Sequence, residues 1–365
     1  KRQQTMKIIF DVTHLYYLPQ YLPVLTELTK RGFTCSFVFY RQDDTWLSNI
    51  YKAVVTTQKL TAHWHDNWQQ ALAFYLDQAA DWVVFGNAVS NIDKIHTVSK
   101  TVLMQHGIGP KQCYYDVSQN LTTVRFVEGQ HRLKRLCDQY PKGNFIDTGY
   151  AKLDPAFNGT ANKIKLADLG LDPNKPTLLY APTFYPSSIE HFSTHFAEDF
   201  SDYNIIIKPH FFSLISTKHI KHQRLFEHWK QSNNVYLTTM TDYNLLPFMI
   251  VADVMLSDAS SAIFEFAALN KPIVWCDFYK LRWSYRGIFS FRFKKRINSD
   301  IEFFHEITSR AKNYQALNKI VAQAIKTPQE KSETRQNITK KLAGKTDGKA
   351  SIRIANYLEN KEDSK

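Results

Sequence analysis

Short apolar runs alternate with segments of helical spacing along nearly the whole chain, a pattern that predicts parallel sheets covered by helices on both faces. KIIFDVT (7–13), TCSFVFY (34–40), DWVVFG (81–86) and TVLMQ (101–105) read as buried strands, and 18–31 and 65–78 carry helical spacing between them. A first domain runs over 1–157 and closes on the pattern NFIDTGYAKLD. The stretch NGTANKIKLADLGLDPNKP (158–176) is polar, punctuated by glycine and proline, and reads as a linker. A second series occupies 177–342, with strands TLLYAPT (177–183), YNIIIKPH (203–210), NVYLTT (234–239), DVMLSD (253–258) and KPIVWCD (271–277). The remainder, 343–365, reads as a C-terminal helix that could pack back toward the N-terminal domain. The expected fold class is therefore α/β, with two doubly wound, Rossmann-like domains facing a central cleft.

In such sheets ligands sit beyond the carboxyl ends of the strands. Asp11, His106, Thr183, His210 and Ser260 all fall at or just after a predicted strand end. The richest stretch is VADVMLSDASSAIFEFAALNKPIVWCD (251–277), where a strand ends in Asp258 and Ser260 and Ser261 open a helix. Free backbone N–H groups and two hydroxyls at a helix start suit a phosphate, although serine is also a common helix cap. Glu265, one turn further on, suits ribose hydroxyls or a plain salt bridge.

His106 ends its strand and is followed by Gly107, Gly109 and Pro110, so a sharp turn leaves the imidazole at the mouth of the sheet. There it can take a proton from an attacking hydroxyl near neutral pH, or simply hydrogen-bond the turn. Lys111 follows as a phosphate contact or a solvated loop lysine. Lys208 and His210 stand on alternate positions beyond a strand, hence on one side of the chain, where together they can neutralise charge growing on a leaving phosphate. A surface lysine beside a capping histidine is the competing reading. There is no GxGxxG after the first strand and no GxxxxGK[ST] in the chain, which argues against dinucleotide binding and P-loop hydrolysis.

Composition narrows the partners. The 365 residues, 44% hydrophobic and 22% charged, are those of a globular protein of about two domains. No apolar run reaches the roughly 18 residues that a membrane span needs and no signal peptide precedes the first strand, so a cytoplasmic chain is expected. The four cysteines, Cys35, Cys113, Cys137 and Cys276, lie too far apart for a CxxC site, which speaks against zinc and a disulfide framework. Lysine and arginine number 46 against 34 acids, a net charge of +12 that fits nucleic acid, anionic lipid or a phosphorylated substrate. Part of it sits in LRWSYRGIFSFRFKKRI (281–297), which interleaves Arg282, Arg286, Arg292, Lys294, Lys295 and Arg296 with aromatic residues. That texture suits an anionic membrane or polyphosphate, or a half-buried strand with snorkelling cations. Arg286, before Gly287, is its most site-like member.

Taken together, these segments resemble the CDP-glycerol glycerophosphotransferase family of teichoic acid and capsule polymer enzymes, whose fold is GT-B-like. HGIGPK (106–111) resembles the family's HGTPLK, TGYAKLD (148–154) its TGYPRxD, LLYAPTF (178–184) its ILYAPTW, and IIIKPH its KxHP block. ADVMLSDASSAIFEFAALNKPIVW is similar to ADVLITDYSSVIFDFALLNKPIIF, RGIF (286–289) to RGFY, and DGKASIRIANYL (347–358) to DGxASxRVVxYI. The matches run in order from about residue 100 to 358, with departures at Tyr185, Phe211 and Phe291–Arg292.

The resemblance implies transfer of a polyol phosphate, most simply glycerol phosphate, from a CDP-linked donor to a hydroxyl of a cell-surface glycan or lipid-linked saccharide, with release of CMP. In it His106 is the general base, His210 and Lys208 serve the pyrophosphate, and Lys111, Thr183, Asp258, Ser260, Ser261, Glu265 and Arg286 line the nucleotide and phosphates. Arg282, Arg292, Lys294, Lys295 and Arg296 would meet the membrane or acceptor at the inner face of the cell membrane. No cofactor or metal is expected beyond the CDP-linked donor, and no nucleic acid. A GT-B glycosyltransferase or a nucleotide-sugar 2-epimerase is the rival within the same architecture. A non-catalytic protein that binds anionic membranes or nucleic acid is the rival outside it.

Overall fold

The computed structural model describes residues 5–109, 111–183, 187–279, 287–289, 291 and 302–359. The chain forms two compact units: one contains 1–107, 113–160 and 341–365, the other 108–112 and 161–340.

The first unit is built on strands β1 (Lys7–Val12), β2 (Thr34–Tyr40), β3 (Ala62–His65), β4 (Trp82–Phe85), β5 (Lys100–Met104), β6 (Val124–Val127) and β7 (Phe145–Asp147). They lie side by side in the order β3-β2-β1-β4-β5-β6-β7. Every pairing is parallel, with Ile8 opposite Cys35 on one side and Trp82 on the other. Ile8, Ile9, Phe10 and Val12 are all fully buried, as a central parallel strand covered on both faces requires. The second unit carries β8 (Thr177–Ala181), β9 (Asn204–Ile207), β10 (Val235–Leu237), β11 (Val254–Ser257), β12 (Ile273–Cys276) and β13 (Ser309–Ala311), in the order β10-β9-β8-β11-β12-β13 and again wholly parallel. Leu178, Tyr180, Ile205, Ile207, Val254 and Leu256 recur at a period of two and pack on one face with Phe192, Phe196 and Trp229.

The α/β, doubly wound expectation is met in both sheets. Its central strands match closely, while β3, β6, β7 and β13 went unread for physical reasons. β3 is an edge strand, AHWH, none of whose residues is fully buried, and β7 and β13 are three-residue edges. In β6 the apolar run is interrupted by Arg125, which is buried and held by the Ser118 hydroxyl and the Tyr114 carbonyl at 2.7 Å each.

Two motifs from the sequence turn out to hold each other. Asp154, the last residue of TGYAKLD, accepts hydrogen bonds from the backbone N–H of Ala350 (3.1 Å) and Ser351 (2.7 Å) and from the Ser351 hydroxyl. It thus caps the helix Ala350–Leu358, whose own N-cap residue, Lys349, has no side-chain oxygen. A cap of this kind contributes about 1–2 kcal/mol and favours a negative charge at the helix start. From the same helix, Arg353 pairs with Asp347 at 3.0 Å and donates to the Thr148 carbonyl at 2.8 Å. At the helix's far end Glu359 meets Arg31 at 2.7 Å, tying it to the helix Leu18–Lys30. The DGKASIR and TGYAKLD blocks therefore hold each other within the first unit.

Candidate active site

At the carboxyl edge of the first sheet the chain leaves β1, β4 and β5, which are neighbours. After β5 come Gln105 and His106; after β4 comes Gly86; after β1 comes the turn THLYY (13–17). His106 is half-buried, and its Nδ1 lies 3.3 Å from Gln105 Nε2 and 3.5 Å from the Gly86 carbonyl oxygen. Its ring is boxed by aromatics. Tyr17 stacks on it (centroids 5.2 Å, planes 25° apart), Tyr16 lies 4.8 Å away, and Tyr114 meets it edge-on at 5.9 Å. Tyr150 donates its hydroxyl hydrogen to the His106 carbonyl at 2.9 Å, so the backbone under the imidazole is pinned independently of the side chain. His14 stacks on Tyr16 at 4.8 Å. Burial lowers the His14 pKa and raises those of Tyr16 and Tyr17, so this group is neutral at pH 7.

The sequence pattern alone does not single out His14, Tyr16, Tyr17, Gln105 or Gly86 as site residues. The signal for them is the THLYY turn itself. A strand-end position that carries glycines in nucleotide-binding sheets here carries aromatics, and one of those rings fills the space over Gly86. A Cβ at residue 86 would come within 2.6 Å of the Tyr17 ring, so only glycine lets that ring lie down beside His106. Asp11, another strand-end residue, serves the core: it accepts from Tyr40 (2.6 Å) and Tyr75 (2.5 Å) and burial pushes its pKa up to about 6.

In the second unit, β9, β8 and β11 are adjacent, and the strand order reverses between β8 and β11. This is the switch point at which open parallel sheets bind ligands. Lys208 and His210 follow β9, Thr183 follows β8, and Asp258, Ser260 and Ser261 follow β11, so the sheet gathers them along one edge. The Lys208 N–H donates to the Tyr180 carbonyl (2.9 Å), and the His210 carbonyl accepts from Ser213 N–H (2.9 Å), which fixes the backbone of that turn. The side chains of Lys208, His210, Thr183, Ser260 and Ser261 are all half-buried. Lys111 is half-buried too, in the segment 108–112 that belongs to this unit. Gly109 of that segment has φ +112°, and a Cβ there would meet the Phe264 ring at 2.8 Å, so glycine is needed for the segment to lie against the helix Ala262–Ala268.

The structure gives local roles to several of the residues expected at this edge. Asp258, expected to line the nucleotide and phosphates, is fully buried and spends its oxygens on the loop after β8: Thr183 N–H (3.0 Å), Ser187 hydroxyl (3.2 Å) and Ser188 N–H (3.1 Å). It ties β11 to that loop across the switch point. Glu265, expected to face ribose, is only 2% exposed on the helix. Of the two serines, it is Ser260 whose hydroxyl accepts from the helix, at Ala262 N–H (3.2 Å), whereas Ser261 makes no side-chain cap. Arg286, Arg282, Arg292, Lys294, Lys295, Arg296 and Tyr185 lie outside the described residues. Among the described residues no group of three or more His, Cys, Asp or Glu is arranged to hold a metal ion.

Burial raises the Asp258 pKa to about 6, against the pull of the hydrogen bonds from Ser188, Thr183 and Ser187. Because the folded-state value lies above the unfolded one, the stability that its proton confers is present at low pH and lost as pH rises through 4 to 6. Two units amount to about 3 kcal/mol. Denaturant titrations of the parent and Asp258→Asn should therefore diverge by about that much between pH 4 and 6.5, the parent losing ground; parallel pH profiles would reject the buried-carboxylate account.

Residues 111–360 match the sequence profile of the CDP-glycerol:poly(glycerophosphate) glycerophosphotransferase family. The teichoic acid glycerol-phosphate primase of Bacillus subtilis (strain 168) is 27% identical over 150 residues, 39% of this chain and 36% of the primase. The chain therefore aligns with little more than a third of that relative's length. The wall teichoic acid polymerase TagF superposes with a TM-score of 0.66 at 14% identity, covering 97% of this chain and 88% of that one. A variant of TagF has been solved after a soak with CDPG, with the same TM-score. A UDP-N-acetylglucosamine 2-epimerase superposes with a TM-score of 0.59 at 12% identity, covering 98% of this chain and 96% of that one. At these identities the structural likeness speaks for the fold, and it is shared by both chemistries.

Proposed function

Since the chain belongs to the CDP-glycerol:poly(glycerophosphate) glycerophosphotransferase family, we propose that it moves glycerol phosphate from CDP-glycerol to a hydroxyl of a glycan or lipid-linked saccharide and releases CMP. The observation that carries the reading is the edge of the second sheet, where a lysine, an imidazole and hydroxyls follow three adjacent strands at the switch point, inside the matched segment.

The chemistry follows from the parts. His106 accepts the proton of the acceptor hydroxyl, whose oxygen forms a bond to the glycerol-bearing phosphorus as the bond from that phosphorus to the bridging oxygen breaks. The electrons of the broken bond leave on CMP. Lys208 and His210 offset the charge that grows on the departing phosphate, and Lys111, Thr183, Ser260 and Ser261 supply further donors. Phosphoryl transfer asks for such positioned positive charge and dipoles more than for covalent catalysis. Asp258 acts at one remove, by holding Thr183 in place.

The 2-epimerase reading shares the fold, and ligand choice separates the two. CDP-glycerol at 100 times its Kd should stabilise the protein by about 2.7 kcal/mol, seen as a rise in melting temperature. Protection by UDP-N-acetylglucosamine and none by CDP-glycerol would overturn the reading.

An anionic membrane surface is the proposed meeting place with a lipid-linked acceptor. Ile288 and Phe291 support it, being 84% and 60% exposed within the basic, aromatic stretch. Among the described residues no helix is long and apolar enough to cross a membrane. Replacing Arg292, Lys294, Lys295 and Arg296 together by glutamine should weaken partition onto anionic vesicles by about 1 kcal/mol per charge near the surface. Unchanged partition would sink the membrane role.

A further inference from the structure

Gln105 is 1% exposed, and its amide reaches His106 Nδ1 at 3.3 Å while its Oε1 has no hydrogen-bond partner. A side-chain amide can be turned over about its last torsion without changing shape, so which atom faces the imidazole follows from the surrounding partners. As placed, the amide leaves its Oε1 unpaired, and Gln105 alone does not decide. The Gly86 carbonyl does, because it can only accept and lies 3.5 Å from the same Nδ1. A bare Nδ1 would set a lone pair against that oxygen. A proton on Nδ1 replaces the repulsion with attraction, and then Gln105 must present its oxygen as well.

Building on His106 as the base of the proposed transfer, we propose that Gln105 is its positioning residue: with the Gly86 carbonyl it holds His106 in the Nδ1–H tautomer, in which Nε2 is the unprotonated nitrogen that takes the acceptor's proton. The aromatic box does the rest of the positioning. Tyr17, seated on Gly86, and Tyr16 and Tyr114 fix the ring plane, so the two acceptors choose between tautomers of an already oriented imidazole. His14 packs on Tyr16 and Tyr17 and is kept neutral by burial, so no charge from it competes with this choice. This is the logic by which a base is oriented by a third group that never touches substrate.

Two measurements test it. Nitrogen NMR of the protein labelled with ¹⁵N-histidine, with the His106 pair identified by its loss in His106→Asn, should show Nδ1 protonated and Nε2 bare above neutral pH; an Nε2–H tautomer overturns the proposal. Gln105→Met should cut kcat by about 10–100-fold with the KM for CDP-glycerol unchanged, the scale on which orienting partners act. Gln105→Glu, which keeps an acceptor, should recover most of the loss. A Gln105→Met enzyme with parental kcat and an unmoved tautomer overturns the proposal even where the base reading holds. If instead His106→Ala turns over normally, the base reading is what fails, and the NMR tautomer still reports on Gln105.

Discussion

His106→Ala should lower the rate of CMP release from CDP-glycerol in the presence of acceptor by about 10²–10⁴-fold, the range over which a positioned acid or base acts. Protection of the variant by CDP-glycerol against heat should stay near the parental level, because the residues proposed to hold the phosphates belong to the second unit. The fold should survive. The backbone at residue 106 is held by the Tyr150 hydroxyl bond to its carbonyl, and the strand before it is buried on its own account. Removing a half-buried ring from an aromatic box costs packing, since Tyr16, Tyr17 and Tyr114 lose a partner, but such a gap lies at a sheet edge rather than inside the core. A purified variant with an unchanged melting temperature and near-normal CMP release would remove His106 from the chemistry.

What the sequence disclosed and what it withheld divide along a physical line. Buried central strands advertise themselves as continuous apolar runs, and β1, β2, β8 and β11 were all readable for that reason. Edge strands bury one side at most and are short, so AHWH and SRA carry no such mark. Strand-end residues were equally legible as positions, because a parallel sheet delivers them all to one edge. Their partners were not. Asp258 looks like a ligand-facing carboxylate in a linear reading and Asp154 like an ordinary loop residue of TGYAKLD, yet each is spent on backbone N–H groups far away in the chain, 75 and 70 positions off at Thr183 and Ser188 and 196 and 197 off at Ala350 and Ser351. Conversely, Gln105 and Tyr17 look like ordinary core residues until β1, β4 and β5 are known to be neighbours, for only then do Gly86, Tyr17 and His106 share a corner. A motif names the residues of a site; the order of strands in the sheet says which of them can meet.

The other large effect belongs to the donor side. His210→Ala should depress transfer by about 10²–10³-fold, as loss of one preorganised group facing developing charge does, and Lys208→Ala should weaken CDP-glycerol binding as well as turnover. The two differ because of what each side chain offers. A lysine ammonium is charged in free donor and departing CMP alike and so binds both, whereas an imidazole that gains or shares a proton as the leaving phosphate develops charge favours the transition state over the ground state. Backbone support for the turn is independent of either side chain, through Lys208 N–H to Tyr180 and Ser213 N–H to the His210 carbonyl, so both variants should fold. The diagnostic is the split between kinetic constants. His210→Ala should lower kcat with little change in KM, and Lys208→Ala should raise KM and lower kcat/KM further than kcat. Should His210→Ala instead raise KM alone with kcat intact, the imidazole would be a uniform binding contact, and the charge that leaves on CMP would have to be met by Lys208 and the Ser260–Ser261 hydroxyls without it.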